Sequence, residues 1–172
     1  MAAERQLIER IARTTHVVSA FWVIVLALII LVDVTGRYLF SLPLLGATEI
    51  IKNSVVSITF LQIPLAIYRG GMIKTTLIYD LLGPNGQRSI RTIANVLGLL
   101  FFLGTAFSAW GPAVEALGIS EYEGEGALRV PTYPVRFLVV ITSVFAAYVY
   151  LHLMYLDWTG RLLPEEEEAA RA

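Results

Sequence analysis

The stretch of sequence that decides the fold is residues 17–32, which read VVSAFWVIVLALIILV. It lies within a run that carries no formal charge between Arg13 and Asp33. A helix needs about 20 mostly apolar residues to cross a hydrocarbon core of about 30 Å. We therefore predict a first transmembrane helix over residues 14–36. We expect it to be a retained anchor, because the run is long for a signal peptide and no small-residue cleavage site follows it.

Three further segments have the same character. The second is short, since its apolar run at residues 53–68 reads NSVVSITFLQIPLAIY and must be extended backward to cross the bilayer. Pro64 lies within it, and in a membrane neighbouring helices and hydroxyl side chains can satisfy the carbonyl that a proline frees. The third and fourth are charge-free through NVLGLLFFLGTAFSAW and LVVITSVFAAYVYLHLMY. We predict helices over residues 45–68, 91–115 and 133–157.

The composition is that of a protein whose solvent is lipid. Of the 172 residues, 56% are apolar and 16% are charged, against about 45–50% and about 25% in an ordinary soluble domain. A formal net charge of -1 argues against nucleic-acid binding, which needs a basic excess. The sequence contains no Cys, which excludes disulfides and thiolate chemistry. We predict an all-α integral membrane protein that forms a single polytopic domain over residues 1–172.

The distribution of Lys and Arg predicts the orientation of the helices. If the N-terminus is cytoplasmic, nine of the 13 cations lie inside and four lie outside. The four outside are Arg37, Lys52, Arg129 and Arg136. Cytoplasmic loops of membrane proteins carry an excess of Lys and Arg. We therefore expect both termini to be cytoplasmic.

The connections between the predicted helices differ from one another. Residues 70–89 have apolar side chains at three- and four-residue spacing, which predicts an amphipathic interfacial segment between the second and third helices. Residues 115–134 contain four Glu, three Gly and two Pro, a composition that favours a loop. We expect this outer loop to be a surface for an outside partner. The acidic C-terminal tail at residues 164–172 is expected to be solvated.

Four charged residues near the predicted outer boundary are the candidate functional residues. Asp33 and Arg37 lie four residues apart on one helix, and Glu49 and Lys52 lie three apart on the next. Charges at membrane depth are costly and are functional candidates by default, yet pairs close to the headgroups can reach the interface without any substrate. We expect a structural or subunit-docking role for all four residues. The alternative is an ion or proton path.

Two histidines support a different function. His16 and His152 both fall at the inner ends of their helices, and two facing imidazoles can bind a b-type haem. The chain would then be a four-helix cytochrome subunit of a redox enzyme. This hypothesis requires the first and fourth helices to be neighbours, and no Gly beside either His makes room for a macrocycle. Histidines with ordinary hydrogen bonds at the interface are the simpler interpretation.

The sequence offers no motif for catalysis. It contains no motif that pairs a catalytic nucleophile with a general base, no HExxH-type metal spacing and no phosphate-binding glycine loop. We therefore expect no catalytic, cofactor, metal or substrate residues and no enzyme activity. Gly98 and Gly104 are interpreted as small residues for close helix packing. A self-sufficient small exporter that uses Glu49 is a third alternative, although this residue lies near an interface.

Two stretches carry a family resemblance. Residues 36–53 read GRYLFSLPLLGATEIIKN, and residues 60–82 read FLQIPLAIYRGGMIKTTLIYDLL. They resemble the small membrane subunit, the DctQ type, of tripartite ATP-independent periplasmic (TRAP) transporters. In that family an Arg-aromatic-x-Phe turn leads to a Glu at the head of the second span. The matching residues are Arg37, Tyr38, Phe40 and Glu49.

The rest of the resemblance includes both matches and departures. Residues 69–74 are similar to the basic and Gly-containing stretch by which the family's second span ends. Pro131 and Pro134 are similar to the family's entry into the fourth span. Met72 replaces the usual His, and Gln62 stands where a small Gly is common.

The resemblance implies a protein of the bacterial or archaeal cytoplasmic membrane that works with two partners. One would be a large membrane subunit of the DctM type, with the moving transport domain and the sodium sites. The other would be a periplasmic binding protein that delivers an organic anion such as a carboxylate. The small subunit would be a scaffold surrounded by membrane lipids, without a cofactor and without a substrate site of its own.

Overall fold

The computed structural model describes residues 2–42, 44–69, 83–124 and 129–160. Within these ranges, four helices are long and apolar enough to cross a membrane. They are α1 (Ala2–Phe40), α2 (Ala47–Tyr68), α3 (Pro84–Gly118) and α4 (Tyr133–Trp158). Strands β1 (Tyr122–Glu123) and β2 (Val130–Pro131) form a short antiparallel ribbon between α3 and α4. The prediction of an all-α membrane protein with four spanning helices is confirmed.

Two of the helices are longer than the predicted spans. α1 has 39 residues and α3 has 35, so they measure about 58 Å and about 52 Å at a rise of about 1.5 Å per residue. Both exceed a hydrocarbon core of about 30 Å. Because α3 begins at Pro84, residues 84–89 of the predicted interfacial segment belong to this helix. Residues 70–82 of that segment and the tail at 164–172 lie outside the described residues.

The four helices lie side by side in an open row. α1 packs mainly against α2, α2 packs against α4, and α4 packs against α3. The order across the row is therefore α1, α2, α4, α3, and α4 is the most buried of the four. Helices that follow one another in the sequence run in opposite directions, so the start of α1 and the end of α4 lie at one end of the row and the β ribbon lies at the other. We name these the termini end and the ribbon end.

A narrow stripe of residues holds α1 to the row. Among residues 5–40, the buried residues of α1 are Ile8, Ala12, Ser19, Leu26 and Asp33. From Ala12 onward they recur at every seventh position, a spacing typical of two helices packed in coiled-coil fashion. Ala12 and Ser19 are fully buried, and small residues of this kind let helix backbones approach closely in a membrane. Most other side chains of α1 are exposed and apolar, as expected for contact with lipid or with another membrane subunit.

The core of the row lies where α4 meets its neighbours. Tyr150 stacks on Phe102 with their ring centroids 6.0 Å apart. A Cβ placed on Gly98 would lie 2.5 Å from Cζ of Tyr150, so the predicted close packing at Gly98 is confirmed. The same prediction is wrong for Gly104. Outside its own stretch of α3, no heavy atom of the described residues lies within 4 Å of the position that a Cβ would take there.

The connection from α3 to α4 has more regular structure than its composition predicts. α3 continues to Gly118, and Tyr122 pairs with Pro131 across the ribbon. The guanidinium of Arg129, the residue before β2, lies 4.6 Å from the centre of the Tyr122 ring in β1, which is a cation–π contact. Composition indicated only a loop at residues 115–134, because Gly and Pro mark a turn without showing which residues pair across it.

Candidate functional site

The first charged cluster lies at the turn between α1 and α2, at the ribbon end. Nη2 of Arg37 lies 2.9 Å from Oδ2 of Asp33, and the backbone N–H of Leu44 donates to Oδ1 of Asp33 at 2.9 Å. Asp33 is buried, whereas the side chain of Arg37 is 54% exposed. A hydrogen bond to an ionised acceptor is stronger than one between neutral groups. Asp33 therefore stabilises the turn that leads into α2.

Glu49 and Lys52 do not form a comparable pair. Glu49 lies half-buried in the first turn of α2, and Lys52 is exposed one turn later. Neither side chain makes an ion pair or a side-chain hydrogen bond with another described residue. A carboxylate in a first turn is favoured by the helix dipole by about 0.3–1 kcal/mol. Of the four candidates, the structure therefore brings together only Asp33 and Arg37.

A second charged cluster, which the sequence did not indicate, joins α3 to α4 at the termini end. Arg91 forms a bidentate pair with Asp157, with Nη2 2.8 Å from Oδ1 and Nε 3.2 Å from Oδ2. The two side chains are 18% and 5% exposed, so the pair is largely removed from water. The partners lie 66 residues apart in the sequence. No local pattern could have associated them.

Arg88 and Trp158 extend this cluster. Nη2 of Arg88 donates to the carbonyls of Asp157 at 3.1 Å and Trp158 at 2.7 Å, in the last turn of α4 where helix carbonyls need partners. The guanidinium lies 5.3 Å from the centre of the Trp158 ring. Nε1 of Trp158 donates to Oγ1 of Thr92 at 3.3 Å. We name Arg88, Arg91, Asp157 and Trp158 the termini clamp.

A third cluster joins the same two helices at the ribbon end. Nη2 of Arg136 lies 2.9 Å from Oε2 of Glu121, and Oγ1 of Thr132 donates to the same oxygen at 2.9 Å. The N–H of Thr132 also donates to the carbonyl of Glu121 at 3.1 Å. The ion pair is partly exposed, so it contributes only about 0–1 kcal/mol. Together these bonds fix the start of α4, and we name Glu121, Thr132 and Arg136 the ribbon anchor.

The two histidines do not share a site. His16 is exposed on α1. His152 is buried in α4, where its ring lies 6.3 Å from the ring of Tyr148. A bis-histidine haem requires α1 and α4 to be neighbours, but α2 lies between them. Across the described ranges, no three His, Asp or Glu residues are grouped so that they could hold a metal ion.

A family model matches most of the chain. Its description is "Tripartite ATP-independent periplasmic transporters, DctQ component", and it matches residues 26–160. The matched region contains the Asp33 turn, the termini clamp and the ribbon anchor. A comparison with curated proteins found no significant match. The match covers well over half of the sequence and agrees with four membrane-spanning helices, so this chain belongs to the DctQ family, a membrane component of the tripartite ATP-independent periplasmic transporters.

Proposed function

We propose that this chain is the small scaffold subunit of a TRAP transporter in the bacterial inner membrane. It supports a large DctM-type subunit during uptake of an organic anion, such as a carboxylate, that a periplasmic binding protein delivers. Uptake is driven by an ion gradient. The observation that carries the proposal is the family match over residues 26–160.

The placement of charge supports a scaffold rather than a conduit. The charged residues of the three clusters lie at the two ends of the helices. Between Arg91 and Glu115 of α3, and between Arg136 and Asp157 of α4, the sequence carries no formal charge. Intramembrane charges mark the ion and substrate paths of transporters. We therefore place the coupling-ion and substrate sites on the large subunit.

Reconstituted uptake tests the proposal. The chain alone in liposomes should give no accumulation of a labelled dicarboxylate or of any other anion in a panel. Co-reconstitution with its large subunit and binding protein should give uptake that needs a sodium gradient and no ATP. Accumulation by the isolated chain would contradict the scaffold role.

The same proposal assigns Asp33, Arg37, Glu49 and Lys52 to docking of the large subunit. Glu49 is half-buried without an ion-pair partner among the described residues, so a cationic or hydrogen-bonding group of the large subunit suits it. Arg37 is half-exposed and pairs only within its own helix. Its partner Asp33 is buried, so the thermal unfolding temperature of the Arg37 variant must be measured beside its assembly. Loss of assembly without a lower unfolding temperature reports on docking.

We predict that Glu49→Gln and Arg37→Ala lower the yield of the assembled complex, while the surviving complex keeps its substrate affinity and ion dependence. Co-purification with the large subunit measures assembly, and uptake normalised to assembled complex measures the transport site. Arg13→Ala is the matched control, because Arg13 belongs to an exposed pair with Glu9 at the termini end. Normal assembly combined with a shifted affinity for substrate or ion would place these charges in the transport path.

A further inference from the structure

An open groove follows the seam between α3 and α4. It has a volume of about 720 Å³, and its lining includes Leu100, Phe101, Gly104, Pro112, Arg136 and Val139. Its walls are mainly apolar, and Arg136 lies at the ribbon end. The groove is widened at Gly104, where no described heavy atom outside that stretch of α3 lies within 4 Å of a Cβ position. The groove therefore has apolar walls along its length and a cationic side chain at its ribbon end.

The length of the groove matches one leaflet of a bilayer. From Leu100 to Pro112 the axis of α3 rises about 18 Å at about 1.5 Å per residue. Half of a hydrocarbon core is about 15 Å. A helix of another subunit that crosses the membrane would need a contact surface of about twice this length. An acyl chain that descends from the ribbon-end headgroups to the bilayer centre needs no more than the groove provides.

At the ribbon end of the groove, the guanidinium of Arg136 has N–H donors that its bonds to Glu121 do not use. Within the described ranges, Arg136 bonds through Nη2 to Glu121, and its side chain is 40% exposed. A guanidinium has five N–H donors in a planar fork. The donors on Nε and Nη1 can therefore bind phosphate oxygens, with which Arg makes strong charge-assisted hydrogen bonds.

We propose that this groove binds a glycerophospholipid of the ribbon-end leaflet, with its phosphate on Arg136 and an acyl chain along Gly104. The lipid fills the concave surface that α3 and α4 leave between them. This inference concerns the chain itself and does not depend on its role in transport.

Photolabelling of the full chain tests the proposal. The protein is placed in nanodiscs of phosphatidylethanolamine that contain a phosphatidylethanolamine with a diazirine in the middle of one acyl chain. After illumination, mass spectrometry of peptides should locate the label around Leu100 and Phe101. Gly104→Leu fills the groove and should lower labelling there about tenfold, which corresponds to roughly 1.4 kcal/mol of binding. Arg136→Gln should lower it in the same direction.

Gly118→Leu is the matched control. Gly118 is also a glycine of α3, with no described heavy atom outside its own stretch of helix within 4 Å of a Cβ position, and it does not line the groove. This variant should be labelled like the wild type. Equal labelling of the wild type and Gly104→Leu would show only annular lipid and overturn the proposal. A photocrosslinker at Ser108 that captures the large subunit would also overturn it. If Arg136→Gln fails to fold, the pair of glycine variants decides.

Discussion

Two ion pairs of the chain have the same geometry and different surroundings. Arg91–Asp157 and Arg13–Glu9 both have an N–O distance of 2.8 Å. The first pair is 18% and 5% exposed, and the second is 61% and 42% exposed. Breaking a buried pair leaves an uncompensated charge at a cost of about 3–5 kcal/mol, whereas an exposed helical pair contributes about 0.3–0.5 kcal/mol. Solvent exposure decides which pair stabilises the fold.

We predict that Asp157→Asn lowers the thermal unfolding temperature of the detergent-solubilised protein far more than Glu9→Gln does. The neutral amide removes the carboxylate that faces the buried charge of Arg91. Replacing both partners with Leu should recover much of the loss, because the buried charge of Arg91 is then removed as well. Similar shifts for Asp157→Asn and Glu9→Gln would show that the termini clamp is solvated in detergent.

An ion pair whose partners are close in the sequence could be found from the sequence, and an ion pair whose partners are far apart could not. Asp33 and Arg37 lie four residues apart, a spacing at which side chains of one helix meet, and they form a pair. Arg91 and Asp157 meet only because α3 and α4 pack along their length. Arg91 therefore contributed to the sequence analysis only as a cation that indicates orientation.

At the scale of helices, lipid removes the pattern that reveals a buried face. A soluble helix shows its core side as an apolar stripe on a polar background. In α1 the residues around Ser19 and Leu26 are apolar on every side, because lipid tails are as apolar as a protein core. The stripe of buried residues at seven-residue spacing therefore became visible only in the structure. The same reason explains why Gly98 and Gly104 looked equivalent in the sequence.

We predict that Gly98→Ala destabilises the protein by about 1–3 kcal/mol, the usual cost of overpacking. The new Cβ would meet the ring of Tyr150 at 2.5 Å. Gly104→Ala should be neutral or stabilising, since Ala is about 1 kcal/mol better than Gly within a helix and no described heavy atom outside its own stretch of α3 lies within 4 Å of its Cβ position. Thermal unfolding of the two variants measures the difference.

A second substitution checks the cause. Tyr150→Leu removes the ring that the Cβ would meet, so the double variant with Gly98→Ala should lose less stability than the two single effects predict. Additive effects would mean that the two helices move apart instead of keeping this contact.

For the whole molecule, sequence predicted the number and approximate place of the helices but not their order in the row. The number follows from the lengths of charge-free chain, such as residues 14–32, because these lengths must match the bilayer. The order depends on which faces fit together, and hydropathy carries no information about partners. The haem hypothesis shows the consequence, since it required α1 and α4 to be neighbours and α2 lies between them.

We predict that reporters at both termini are cytoplasmic and that a reporter inserted near Gly124, in the ribbon, is periplasmic. The reason is the excess of Lys and Arg at the termini end. Alkaline phosphatase, active only outside, and a fluorescent protein, active only inside, give opposite signals at each site. A periplasmic C-terminus would contradict the predicted orientation.

The bonds at both ends of α3 and α4 have a mechanical consequence. A piston-like slide of one helix along the other by a single turn, about 5.4 Å, would break the termini clamp and the ribbon anchor together. Among the described residues, α1 contacts the row through its stripe and the Asp33 turn, and most of its other side chains are exposed, so we expect it to tilt more readily than α3 or α4. We expect spin-label distances between α3 and α4 to have a narrow distribution and those between α1 and α4 a broader one. In a working transporter, α3 and α4 would then move as one rigid pair, and α1 would be the more mobile helix at the edge of the row.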